Sequence, residues 1–248
     1  MLSKFSLLQN IFIINLERRK NLMINLTYIS EYIKDNFSYI NIERIQGIDG
    51  REEYEKDNAY FNKLLVNKKV SLLGYGFRTS KIEVISEIAC FLSHRKCWQK
   101  IVDENLDITL ILEDGMKFNT ANFTNKIEYS DSDIIFVNKE MVNNNGKLEG
   151  YGFQGYIVTL KGARKLLEQV KCLINPVDFQ VRYLCNKGVF KWSIMNNNWT
   201  ENDKERISTI SSRAIYKNNE KTRENFNQLY IRIINNMIHR NIDVAEFL

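Results

Sequence analysis

Two adjacent carboxylates, Glu113 and Asp114, end the apolar run Leu110-Ile111-Leu112 and are followed by Gly115. Such a run reads as a buried strand, and acids at the carboxyl end of a buried strand sit where open α/β sheets bind their ligands. Two carboxylates there can hold a divalent cation and, through it, a diphosphate. The same pair would also suit a turn or a helix cap. Asp131-Ser132-Asp133 is a second acidic spacing. It precedes the apolar run from Ile134 to Val137, so it falls at the amino edge, away from the expected cleft, and reads as a capped turn. Asn138 lies beyond that run, on the ligand side.

Other polar residues recur at telling positions. Glu87, Ser93 and His94 share one helical stretch. Glu87, Cys90 and His94 fall at helical spacing and so align on one face. Glu87 could bind a ligand hydroxyl or orient His94; a buried polar network would look the same, because buried polar groups must find partners. Asn15, Arg18 and Arg19 follow the first strand, where an arginine could grip phosphate bidentately or simply be solvated. Asp49 precedes Gly50 and could bind a ligand or form an ordinary turn. Asp178, after Pro176-Val177, fits the first turn of a helix, where the dipole favours an acid.

The elements that must position these residues alternate. Strands are expected at residues 11–14, 39–45, 109–112, 134–137, 155–160 and 189–195. Helices are expected at 18–34, 53–66, 80–105, 161–171 and 177–186, the third opening on a Ser80/Glu83 capping box. Residues 67–79, with Gly74 and Gly76, read as a long loop of the lid type. Residues 196–219 read as polar and irregular. Residues 221–242 read as a basic amphipathic helix that could dock on an anionic membrane or pack on the domain, the latter favoured. Alternating strands and helices imply an α/β sandwich with a mainly parallel sheet. No linker or repeat divides the chain, so residues 1–195 are expected as one domain and 196–248 as an extension packed on it.

Composition narrows the class. The 248 residues carry 44% hydrophobic side chains and a net charge of +5. That suffices for one large domain. A basic surface could attract an acidic glycolipid, a membrane face or a nucleotide sugar, but no nucleic-acid motif accompanies the charge. Cys90, Cys97, Cys172 and Cys185 form no CxxC pair, and His94 and His239 are the two histidines. A structural zinc site is therefore not expected, and reduced cysteines point to the cytoplasm. No signal peptide or membrane-spanning run is evident. One proline among abundant Asn, Lys and Ile fits an AT-rich bacterial genome.

Taken together, Ser86-Glu87-Ile88-Ala89-Cys90-Phe91-Leu92-Ser93-His94, followed by Leu110 to Asp114, resembles the core signature of glycosyltransferase family 25. Ile13-Ile14-Asn15-Leu16-Glu17-Arg18-Arg19 is similar to its opening strand and turn, and Gln46-Gly47-Ile48-Asp49-Gly50 to its second block. Gly155-Tyr156-Ile157-Val158, Gly162 to Leu167 and Pro176-Val177-Asp178 are similar to its closing blocks. The resemblance implies a GT-A-like nucleotide-sugar fold. It implies transfer of a hexose, galactose from UDP-galactose, to a lipooligosaccharide acceptor by single displacement with inversion. Glu113 and Asp114 then match two acids of a metal-binding triplet for manganese or magnesium. Asn15, Arg18, Arg19, Asp49, Ser93, His94 and Asn138 become substrate contacts, and Asp114, Asp178 and Glu87 catalytic acids. Asp178 would face the acceptor. Gly115 replaces the triplet's third acid. That leaves three readings: a weakened metal site, metal-independent transfer using Lys or Arg, or an inactive relative that binds sugar nucleotide or glycan. The acceptor would place the enzyme at the inner face of the inner membrane.

Overall fold

The structure is a computed structural model describing residues 4–20, 23–50, 52, 81–129, 131–149, 153, 155–171 and 176–201. The expected helix at 53–66, the loop at 67–79, the Ser80 cap, Cys172 and the basic helix at 221–242 with His239 lie outside these residues.

In chain order the elements are β1 (Lys4–Leu7), β2 (Asn10–Asn15), α1 (Met23–Asn36), β3 (Asn41–Gln46), α2 (Lys81–Asp103), β4 (Ile108–Glu113) and β5 (Lys117–Phe118). There follow β6 (Lys126–Tyr129), β7 (Ile134–Phe136), β8 (Gly155–Thr159), α3 (Leu160–Gln169), α4 (Val177–Asn186), β9 (Trp192–Ile194) and β10 (Thr200–Glu201). The central sheet has the order β3-β2-β4-β8-β7-β9. β8 is antiparallel to both neighbours and every other pairing is parallel. Five strands thus share one direction, giving the expected α/β fold with a mainly parallel sheet. Two short ribbons flank it, β1 with β6 and β5 with β10.

β2 is buried along its whole length and β4 through Leu112, as befits strands covered on both faces. Alternation divides the core in two. Phe12, Ile14, Ile111, Tyr156 and Val158 pack with α2, α3 and α4. Ile11, Ile13, Leu110, Leu112 and Ile157 pack with α1 and the flanking ribbons.

Local signals fix the helix ends. α2 stops in a left-handed Asn105, with Leu106 N–H bonded to Ile101 C=O at 2.9 Å and Asn105 N–H to Val102 C=O at 3.2 Å. That pair of bonds is the Schellman arrangement. Thr159 caps α3 by accepting the Gly162 N–H at 3.0 Å. Gly162 is required there, since a Cβ would lie 2.0 Å from the Asp133 carbonyl oxygen.

One helix boundary differs from expectation. The first helix begins at Met23, not at residue 18, because Arg19 N–H turns back to Leu16 C=O at 3.0 Å and keeps both arginines in a turn. Beyond residue 195 the chain returns to the same core through residues 196–201. Trp199 is fully buried, its N–H bonds Val137 C=O at 2.9 Å, and Thr200 pairs with Phe118.

Candidate active site

Asn15 ends β2, and Asp49, Asp114 and Asn138 follow β3, β4 and β7, four strands running in one direction. All four are buried at the carboxyl edge of the sheet. Asp114 N–H continues the β2–β4 ladder to Ile14 C=O at 3.0 Å. Its carboxylate is held twice: Asn15 Nδ2 donates to Oδ2 at 2.9 Å and Arg19 Nη1 to Oδ1 at 2.7 Å. The Asp114 side chain is 4% exposed and that of Arg19 14%, so the ion pair is shielded from water. A charge-assisted bond in such a place is stronger than one at the surface.

The network widens through neighbours. Arg44 Nε donates to Asn15 Oδ1 at 3.0 Å, and its Nη2 to Glu17 Oε2 at 2.7 Å, which holds the Glu17 carboxyl below its usual range. Arg18 pairs with Asp49. Ser93 Oγ accepts the Ile48 N–H at 2.8 Å and donates to Ala89 C=O at 2.7 Å, which fastens the loop after β3 to α2. Asn15, Arg18, Arg19, Asp49, Ser93 and Asp114 therefore gather at one end of the sheet. Arg44 belongs with them and was missed in sequence, where it is one polar residue of an alternating strand.

Glu113 faces the other way. It continues the row of Ile111, on the side covered by α2, and its Oε1 lies 3.4 Å from His94 Nε2. His94 Nδ1 is 2.9 Å from the Tyr156 hydroxyl, which also accepts the Trp98 Nε1–H at 2.9 Å. Burial pushes the Tyr156 hydroxyl far above its ordinary value, so it stays protonated. The His94 ring is edge-on to Phe153, at 5.5 Å between centroids. Cys90, one turn before His94 on α2, completes a group whose ligand atoms lie within 4.8 Å of one another.

The remaining expected residues lie on helices. Glu87 is 2% exposed on α2 and does not face solvent. Asp178 lies in the first turn of α4, where Arg182 Nε bonds its carbonyl at 3.1 Å and Arg182 Nη2 lies 3.9 Å from its carboxylate. The Asp131-Ser132-Asp133 triplet meets lysines. Lys161 and Lys191 lie 2.8 and 2.6 Å from Asp131, holding its carboxyl down at about 2. The Asp133 carboxylate, fully buried, takes Lys165 Nζ at 2.7 Å and the Lys191 N–H at 2.9 Å.

A manganese or magnesium site needs converging oxygen ligands. Among the described residues Glu113 and Asp114 do not converge. The former turns to His94, and both oxygens of the latter already hold Asn15 and Arg19. The cations that meet the carboxylates of this cluster are the guanidinium groups of Arg18 and Arg19.

The fold is α/β, with its strand-end polar cluster at the carboxyl edge of a mainly parallel sheet. The family described as "Glycosyltransferase family 25 (LPS biosynthesis protein)" matches residues 8–147, and the chain belongs to it. A "Glycosyltransferase 25 family member" of Anopheles gambiae is 25% identical over 236 residues, covering 84% of this chain and 36% of that protein. Human "Procollagen galactosyltransferase 2" is 27% identical over 184 residues, covering 63% of this chain and 27% of that protein. The chain thus spans about a third of the length of the curated relatives it matches. A Drosophila β1,4-galactosyltransferase 7 variant, solved with manganese, UDP-Gal and xylobiose, aligns at a TM-score of 0.39 and 10% identity over 88% of this chain and 79% of that one.

Proposed function

We propose that this chain transfers a hexose, galactose from UDP-galactose, onto a glycan acceptor, with a lipooligosaccharide as the acceptor class. The observation that carries this reading is the Asn15–Asp114–Arg19 cluster at the strand ends of a family 25 chain. The diphosphate leaving group needs its charge met where it develops. Arg19, aimed by Asp114, and Arg18, anchored on Asp49, are the groups placed to do so. An arginine already oriented by a buried carboxylate loses little freedom on binding phosphate. No step of this reading passes through a metal ion.

The acceptor hydroxyl must give up a proton, usually to a carboxylate. Asp178 takes that role here, on the strength of the Pro176-Val177-Asp178 block and its place in the first turn of α4. Glu87, buried on α2, is kept in this reading as the acid that binds a sugar hydroxyl or orients His94. A GT-A type of donor cleft and inversion by single displacement complete the reading. Gly115, where the family carries an acid, favours one rival: a relative that binds sugar nucleotide without transferring it.

Calorimetry with a panel of nucleotide sugars, with manganese and again with chelator, tests this. A UDP-hexose is expected to bind, and to keep binding under chelation because arginines meet the charge. Binding only with manganese would move that task to a cation. Binding of no UDP-sugar in either condition would overturn the reading. UDP release on adding acceptor separates the enzyme from the rival.

A further inference from the structure

We infer that Cys90, His94 and Glu113 form a binding site for a borderline divalent cation of the zinc type. It is distinct from the hard-cation site looked for at Glu113 and Asp114, and nothing in the transfer reading requires it.

Cys90 and His94 stand one helical turn apart on α2, so their side chains stack on one face. Glu113 ends β4 on the face that α2 covers. The three potential ligand atoms lie within 4.8 Å of one another. Metal–ligand lengths near 2.0–2.3 Å put tetrahedral ligands roughly 3.3–3.6 Å apart. The His94 Nε2 to Glu113 Oε1 edge, at 3.4 Å, already has that separation. Only the thiol has to draw in, and Cys90 is half-buried at a helix surface with a rotatable side chain.

The chemistry of the set selects the ion. Sulfur, imidazole and carboxylate suit zinc or cobalt, while magnesium prefers an all-oxygen shell. A thiolate and a carboxylate together balance the charge of a divalent ion. His94 carries the outer support such ligands have. With Nε2 on the ion, Nδ1–H faces the Tyr156 oxygen at 2.9 Å, which is itself fixed by Trp98. Three protein ligands leave a fourth position, on the side of Glu113, whose side chain is 21% exposed. Sequence spacing alone hides this site, because two ligands lie on one helix and the third arrives from a strand end.

The test is cobalt(II) titration of the full chain without nucleotide, followed by optical absorption, with zinc competition and equilibrium dialysis. One equivalent is expected, with a thiolate-to-cobalt charge-transfer band that zinc abolishes and magnesium does not. Cys90→Ser should remove the band, and Cys90→Ser and Glu113→Gln should each weaken zinc binding. Loss of a direct ligand should cost no less than the roughly 10–100-fold that losing an outer partner costs. Circular dichroism of both variants checks that they fold. A wild-type protein that retains no zinc, or a folded Cys90→Ser variant that binds zinc as tightly as wild type, overturns the inference. Neither result touches UDP-hexose binding, which is measured separately.

Discussion

Asn15 and Asp114 end two neighbouring parallel strands and are joined by a 2.9 Å hydrogen bond from the Asn15 amide to the Asp114 carboxylate. That bond ties the two strand ends on which the proposed donor site is built. Asn15 is in turn gripped from behind by Arg44. Asn15→Ala should therefore weaken UDP-hexose binding more than it lowers stability. The lost amide leaves one Asp114 oxygen and one Arg44 donor without this partner, at a net cost of about 1–3 kcal/mol. Calorimetry beside urea unfolding reads the two effects. A variant that loses stability but keeps full donor affinity would remove Asn15 from the site.

Asp133 should be a structural acid, although it sits in an acidic triplet. It is fully buried and held by Lys165 and the Lys191 amide. Asp133→Ala should cost about 1–3 kcal/mol of unfolding free energy, because the Lys191 N–H loses its acceptor while Lys165, 35% exposed, can turn to solvent. Denaturant unfolding measures it. A stable variant with altered metal binding would instead make the triplet a ligand site.

Gly162→Ala should be poorly tolerated for a steric reason. The new methyl would meet the Asp133 carbonyl at 2.0 Å, so α3 must shift from β7. A loss of about 1–3 kcal/mol or more is expected. An unchanged melting temperature would contradict this packing.

Cysteine labelling gives a pH-dependent check. Burial pushes the Cys97 thiol from 9.0 to about 12, and raises Cys185 as well. Alkylation of the native protein near neutral pH should spare both and modify half-buried Cys90, as read by peptide mass spectrometry. The sign follows by linkage. Above pH 9 the unfolded Cys97 thiol ionises while the folded one stays neutral. The unfolded state then binds fewer protons, and stability falls between pH 9 and about 12. Rapid native labelling of Cys97 would refute its burial.

Much of this was legible in the sequence because apolar runs announce buried strands. β2, β4, β7 and β8 lie where Ile, Leu, Phe and Val cluster, and the polar residues at the carboxyl ends of the parallel strands β2, β4 and β7 share one edge. What was hidden needed the third dimension. Glu113 and Asp114 look like one acidic pair in sequence. Strand alternation sends them to opposite partners, and only the position of α2 decides which meets His94. Residues 196–201 looked irregular because asparagines dominate them. Trp199 was the one apolar clue that the chain returns to the core. Arg44 gave no signal of its own, since a polar residue in a half-exposed strand is ordinary.

In the proposed function Asp114 aims Arg19 at the diphosphate of a sugar nucleotide. The direct measurement is UDP release from UDP-galactose with a glycan acceptor, wild type against Asp114→Asn, with folding checked by circular dichroism. Loss of one preorganised electrostatic contact costs roughly 10²–10³ in turnover. The account predicts a fall of that size in a folded variant. A folded Asp114→Asn protein with wild-type turnover would contradict it.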